Sequence, residues 1–322
     1  MTLHISAGNW QTTDVNSFNW QVLNFYDGLV RFGVPVFVMI SGALFLDTSK
    51  DIPIRKIFSK YIPRIAAAFI FWSFVYAARN YVKTGDILKA FGHLVRGHYH
   101  LWFLFMITGM YMLIPFLRKI AESPFLTKYF LVLALIFTFL LPECAKIISV
   151  FSEKYGTFAA ECVNNFHMRF VGGFTGYFLL GYVLDKISIS PKLERIIYFA
   201  GFAGVSMTIL MSGLASVFRN EHISFYGDLT VNVMCESVAV FVFFRQHLNH
   251  DNKAIRKLSQ YSFGAYLVHD AVIGLLRQGA GLHSLTFNPV VSVPVTAALV
   301  FILSFTISCV INHIPVLKKY IV

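Results

Sequence analysis

Val291 to Ile311 reads VSVPVTAALVFILSFTISCVI, a run of 21 residues without a charge. Crossing a hydrocarbon core of about 30 Å as a helix takes about 20 apolar residues, so this stretch reads as a membrane span. Outward from it, similar runs bounded by charge or by Pro and Gly fall near 29–46, 62–78, 100–117, 127–142, 168–184, 195–214, 226–244 and 262–277. Together they predict nine spans in 322 residues. Before them lies an apolar stub, Met1 to Ala7, too short to cross and read as the last turns of a first helix that begins upstream. Composition agrees, with 57% hydrophobic residues, a mean hydropathy of +0.64 and 13% charged residues, where soluble proteins carry roughly a quarter. A secreted disulfide scaffold, a disordered chain and a soluble enzyme are excluded. So is a porin-type barrel, whose strands alternate in short segments. The expected fold is all-α: a polytopic transmembrane helical bundle, one domain over residues 1–322.

The net charge of +11 excludes nucleic acid as the reason for the basic residues, because they are strung between apolar runs rather than gathered on one face. Loop charge at the cytoplasmic face of a cell (inner or plasma) membrane explains them. The richer set includes Lys50, Arg55, Lys56, Lys60, Arg64, Arg118, Lys119, Lys186, Arg245 and Lys257. On that assignment 8–28, 79–99, 143–167, 215–225 and 278–290 are outward loops. The four cysteines show no CxxC spacing and no adjacent ligating pair, so no metal centre is expected. Cys144 and Cys162 share an outward loop and are expected to form a disulfide there.

Three sets of residues point to chemistry. Seven of the eleven histidines (His4, His93, His98, His100, His167, His222 and His283) lie at or beyond the outer ends of spans. Histidine is the usual general base near neutral pH, although a loop histidine is more often simply polar, and His93, His98 and His222 are read that way. The second set is ionisable groups inside spans, which are expensive in hydrocarbon. Asp228, Asn232 and Glu236 share one side of a helix, and Ser262, Tyr266, His269 and Asp270 form a stripe on the next. These stripes either hydrogen-bond helix to helix or line a substrate cavity, and Glu236 and His269, the deepest, are the candidates for the cavity. The third is Arg31, followed by Val34, Pro35, Met39, Ser41 and Gly42, where Pro35 and Gly42 predict a helix kinked around a cavity.

The segment RFGVPVFVMISGALFL, Arg31 to Leu46, resembles the second-helix signature of the acyltransferase 3 family of integral membrane O-acyltransferases. YHLWFL at Tyr99 to Leu104, GYFLLGYVL at Gly176 to Leu184 and YSFGAYLVH at Tyr261 to His269 agree in order and spacing. The resemblance covers nearly the whole chain and is nearest the short bacterial members that O-acetylate surface polysaccharide. It implies about ten helices and transfer of an acyl group, usually acetyl, from cytoplasmic acyl-CoA to a hydroxyl of a cell-envelope glycan or related acceptor at the outer face. Acetyl-CoA is then a co-substrate, with no permanently bound cofactor. The family's first helix carries an Arg and then an essential His near its outer end. His4 sits where that His belongs, while the Arg has no counterpart because the chain starts three residues earlier. The expectation is a start at a downstream Met or a truncated, inactive homologue.

On this reading His4 is the general base and Arg31 the second catalytic residue. Ser41, His100, Trp102, Glu236 and His269 contact substrate, with Arg31, His100 or the Trp102 indole donating to the oxyanion. Lys56, Lys60 and Arg64, at i, i+4 and i+8, form a basic face for the CoA phosphates, the alternative being ordinary loop charge. The rival function is a transporter or flippase of a lipid-linked or acyl substrate, which also needs membrane-buried charge and broken helices.

Overall fold

The computed structural model describes residues 1–50, 52–168, 172–248, 251–315 and 317. Among them all regular structure is helical and no strand occurs. In chain order the α-helices are α1 (Thr2–Trp10), α2 (Phe18–Leu29), α3 (Gly33–Phe45), α4 (Ile54–Lys56), α5 (Ile62–Thr84), α6 (Ile87–Arg96), α7 (Trp102–Ala121), α8 (Pro124–Ala134), α9 (Leu141–Phe151), α10 (Glu153–Asn165), α11 (Thr175–Lys186), α12 (Pro191–Arg219), α13 (Val231–His247), α14 (Lys253–Ser259), α15 (Ser262–Gly279) and α16 (Pro289–Asn312). Their ends follow local chemistry. Ser17, Ser123 and Ser190 accept the free N–H groups that open α2, α8 and α12, and Pro occupies the first turn of α8, α12 and α16. Gly85, at φ 68°, closes α5, and Asp86 then caps α6.

Six helical stretches are long and apolar enough to cross a membrane: Phe18–Phe45, Ile54–Thr84, Ile87–Ala121, Pro124–Phe151, Pro191–Arg219 and Pro289–Asn312. The other three expected spans are the shorter helices α11, α13 and α15, of 12, 17 and 18 residues. At 1.5 Å per residue α11 is roughly 18 Å long, less than a hydrocarbon core. Segments expected as outward loops also hold helices. The stretch 8–28 contains most of α2, 79–99 the end of α5 and all of α6, and 143–167 most of α9 and α10. Polar residues there, read as loop signals, are partnered inside the fold: Asn24, on α2, donates to the Ile209 carbonyl at 3.0 Å.

Packing divides the chain into two compact units. The first comprises Met1–Gly8, Ile52–Leu113 and His250–Val322. In it α5 packs on α6 and α15 on α16. Ser292, Thr296, Val300, Ser304 and Ser308 are buried at every fourth position of α16, and Ser308 donates to the Tyr261 carbonyl at 2.7 Å.

The second unit is Asn9–Asp51 with Ile114–Asn249. Here α3 packs on α11 and α13, and α12 on α13 and α2. Small residues let the backbones touch. A Cβ on Gly42 would overlap the Phe178 carbonyl, and one on Gly181 the Met39 carbonyl, so the two sequence motifs RFGVPVFVMISGALFL and GYFLLGYVL meet face to face. Gly42 is thus a contact rather than a kink. Pro35 does not kink α3 either, because it is the third residue of that helix, where no N–H is needed. The break lies before it, between α2 and α3. Arg118 donates to the Phe45 carbonyl at 3.0 Å and Lys186 to Asp47 at 3.0 Å, tying down the turn that follows α3. Lys186 and Ser49 hold the Asp47 carboxyl below the usual carboxylate range, and Asp47 in turn raises the Lys186 ammonium. Cys144 on α9 and Cys162 on α10 are exposed free thiols, so the expected disulfide is absent. Sharing a loop in sequence does not set how two thiols approach, and here each lies on its own helix.

Candidate functional site

The first unit gathers three distant segments around its histidines. Gly97, at φ 75°, turns the chain out of α6; a Cβ there would press on the Phe69 ring at 2.7 Å. His98 follows in extended backbone, and Tyr99–Leu101 form one 3-10 turn that buries His100. Opposite stands α15. Tyr266 donates to the His100 carbonyl at 2.5 Å, and the His269 and His100 ring centroids lie 5.1 Å apart. His4, from α1, completes the group: its ring is 5.0 Å from that of His269 and 5.5 Å from that of Tyr99.

Asp270 organises the rim of this cluster. It accepts from the Tyr99 hydroxyl at 2.8 Å and from Arg79 at 3.4 Å, and one of its oxygens lies 3.6 Å from His98 Nδ1. Tyr76 stacks on His98 at 4.5 Å and donates to the Leu267 carbonyl at 2.8 Å. Gly274 makes room for the Arg79 guanidinium, which a Cβ would overlap. The buried His100 ring lies beside the Leu267 carbonyl, and its Nε2 makes no hydrogen bond of good geometry. That leaves one imidazole nitrogen able to bond a visiting group.

The second unit holds the other buried polar group. Arg31 pairs with Asp27 at 2.5 Å, one helical turn earlier, and lies 4.5 Å from the Tyr226 ring centroid. The Tyr226 hydroxyl donates to Asn24 and accepts from the Trp10 indole at 3.2 Å. Glu236, on α13, is 2% exposed, with the Phe32 backbone and Arg31 as its nearest polar partners. Ser41 is buried and donates to the Phe37 carbonyl at 3.0 Å within its own helix.

The expected site residues are thus placed as follows. His4, His100 and His269 come together. Arg31, Ser41 and Glu236 belong to the second unit and His269 to the first. Trp102 is 41% exposed and meets Phe103 edge-on. Lys56, Lys60 and Arg64 are all exposed. A π-helical turn at Ile57–Tyr61 interrupts the α-helical spacing assumed for them. His222, read as merely polar, bonds the Thr13 carbonyl at 2.9 Å beside the Trp10 ring. His98, read the same way, is central. Tyr76, Arg79, Tyr99 and Asp270 were absent from the expected site; the His-x-His pair at 98 and 100 beside an ionisable stripe on α15 was the signal for them.

A family model described as an acyltransferase domain matches residues 2–313, nearly the whole chain. The chain belongs to the acyltransferase 3 family. It is a membrane acyltransferase, and its apolar helices fit a multi-pass membrane protein. No curated protein and no solved structure matches it. In this acyltransferase the matched region takes in both units, the histidine cluster and the Arg31 pair alike.

Proposed function

We propose that the protein is an O-acetyltransferase of the cell membrane, moving an acetyl or related acyl group from cytoplasmic acyl-CoA to a hydroxyl of an envelope glycan or similar acceptor at the outer face. The observation that supports this most is the seat of His4, packed against the His269 ring and edge-on to Tyr99 in an aromatic and histidine cluster of an acyltransferase. An acceptor hydroxyl is a poor nucleophile at its own pKa. The His4 imidazole takes the hydroxyl proton as the oxygen attacks the thioester carbonyl. The tetrahedral intermediate then collapses, the C–S bond breaks, and the imidazolium returns the proton to the CoA thiolate, leaving ester and free CoA. His100 Nε2, buried in the cluster, is the donor best suited to the oxyanion when Nδ1 accepts from His98 and Nε2 carries the proton.

Within the first unit, His269 and Trp102 are assigned to acceptor binding beside His4, and the exposed Lys56, Lys60 and Arg64 to the CoA phosphates. Purified protein in detergent, given acetyl-CoA and soluble sugar acceptors, should release CoA only when an acceptor is present, with the acetyl ester on the acceptor. Acceptor-independent movement of substrate across a vesicle membrane without CoA release would replace this reading with transport.

A further inference from the structure

The cysteine spacing gave no reason to expect a metal, but the fold assembles ligands that spacing does not reveal. His98 Nδ1 and His100 Nδ1 lie 3.1 Å apart, and Asp270 Oδ2 lies 3.6 Å from His98 Nδ1. One ligand atom from each of the three residues lies within 4.8 Å of the others. Tetrahedral ligands about 2.0–2.2 Å from a zinc ion stand roughly 3.3 Å from one another, so two of the three edges already have metal-site dimensions.

Each ligand is also held. Gly97 and the Tyr76 ring fix His98, the Tyr266 hydroxyl bonds the His100 carbonyl, and the Tyr99 hydroxyl occupies Asp270 Oδ1 and so turns Oδ2 toward His98. Outer contacts of this kind orient ligands and raise affinity. The His98 side chain is 20% exposed, which gives an ion a way in. Two imidazoles and a carboxylate suit first-row divalent ions, Zn²⁺ among the best.

We propose that His98, His100 and Asp270 bind a divalent transition-metal ion, with Zn²⁺ the best match. Arg79, 3.4 Å from the same Asp270 oxygen, competes with the ion, so it binds more weakly than at a structural zinc site. Coordination through Nδ1 leaves His100 Nε2 free for its other role, and the proposal stands whether or not the protein acetylates glycans.

The test is isothermal titration of ZnCl₂ into tag-free, chelator-stripped protein in detergent, with Co²⁺ absorption reporting ligand geometry. One saturable equivalent is expected, with a visible Co²⁺ band. His98→Ala should weaken binding by about tenfold or more, as should Asp270→Asn, while Arg79→Gln should tighten it. His98 is partly exposed, so His98→Ala carries the test even if the buried Asp270 variant fails to fold. No saturable uptake, or uptake unchanged in a folded His98→Ala protein, would overturn the proposal.

Discussion

In the first unit the polar group is built from rings: His4, His98, Tyr99, His100, Tyr266 and His269 lean on one another, His100 and His269 are buried, and Asp270 sits on the rim. The second unit's polar group is built from opposite charges and hydroxyl bridges. Arg31 is matched by Asp27 a turn away, and Tyr226 links Asn24 to Trp10. Imidazoles gain and lose protons near neutral pH at small cost, whereas a guanidinium keeps its proton and answers a nearby carboxylate. The first arrangement is suited to moving a proton, and the second to holding a shape or a fixed charge.

The largest effect should come from His4. His4→Ala should lower turnover by about 10²- to 10⁴-fold while leaving the amount of folded protein unchanged, as measured by CoA release and by size-exclusion profile. Equal turnover would erase the distinction between the two units. Gly42→Ala should act through packing alone. A methyl forced against the Phe178 carbonyl is expected to cost about 1–3 kcal/mol, read as a lowered melting temperature, with activity per folded molecule retained. An unchanged melting temperature would mean that α3 and α11 are not locked as described. Glu236→Gln keeps the shape and removes a buried carboxyl group. A loss of turnover on the order of tenfold without loss of stability would place part of the chemistry in the second unit. Loss of stability alone would make that unit purely a scaffold.

The smallest effect concerns the Asp47–Lys186 pair. Asp47 titrates lower in the folded protein than its unfolded value of about 3.9, so its contribution is complete above about pH 4 and is lost as pH falls through the lowered value. Lys186 titrates higher than about 10.4, so its share holds below that pH and fades only as pH rises beyond. Asp47→Asn should therefore destabilise by at most about 1 kcal/mol, equally at pH 5 and pH 9, and by less in acid. A difference that grows as pH drops from 5 to 3 would contradict the assignment.

Much of this was legible in the sequence. Each of the nine apolar runs holds a helix, because hydrocarbon permits little else, and the family motifs led to His4 and His100. The rest depended on pairs that no periodicity encodes. Asp270 meets Tyr99 across 171 residues and Arg79 across 191, and Asn24 meets Ile209 across 185. His98 looked like a loop histidine because its partners are elsewhere in the chain. Pro35 looked like a kink because nothing local says that a helix begins two residues before it.

The wide separation of the segments that make up the histidine cluster also orders events while the chain is being made. His4 emerges from the ribosome first and His98 to His100 follow, but Asp270 is translated 171 residues after Tyr99. At about 5–20 residues per second this is an interval of roughly ten to thirty seconds. During it the Tyr99 hydroxyl, the Arg79 guanidinium and two imidazoles wait in a nascent membrane protein without the carboxylate that will neutralise and orient them. Insertion of α15 supplies that carboxylate and the Tyr266 hydroxyl in one step, so the histidine cluster matures last.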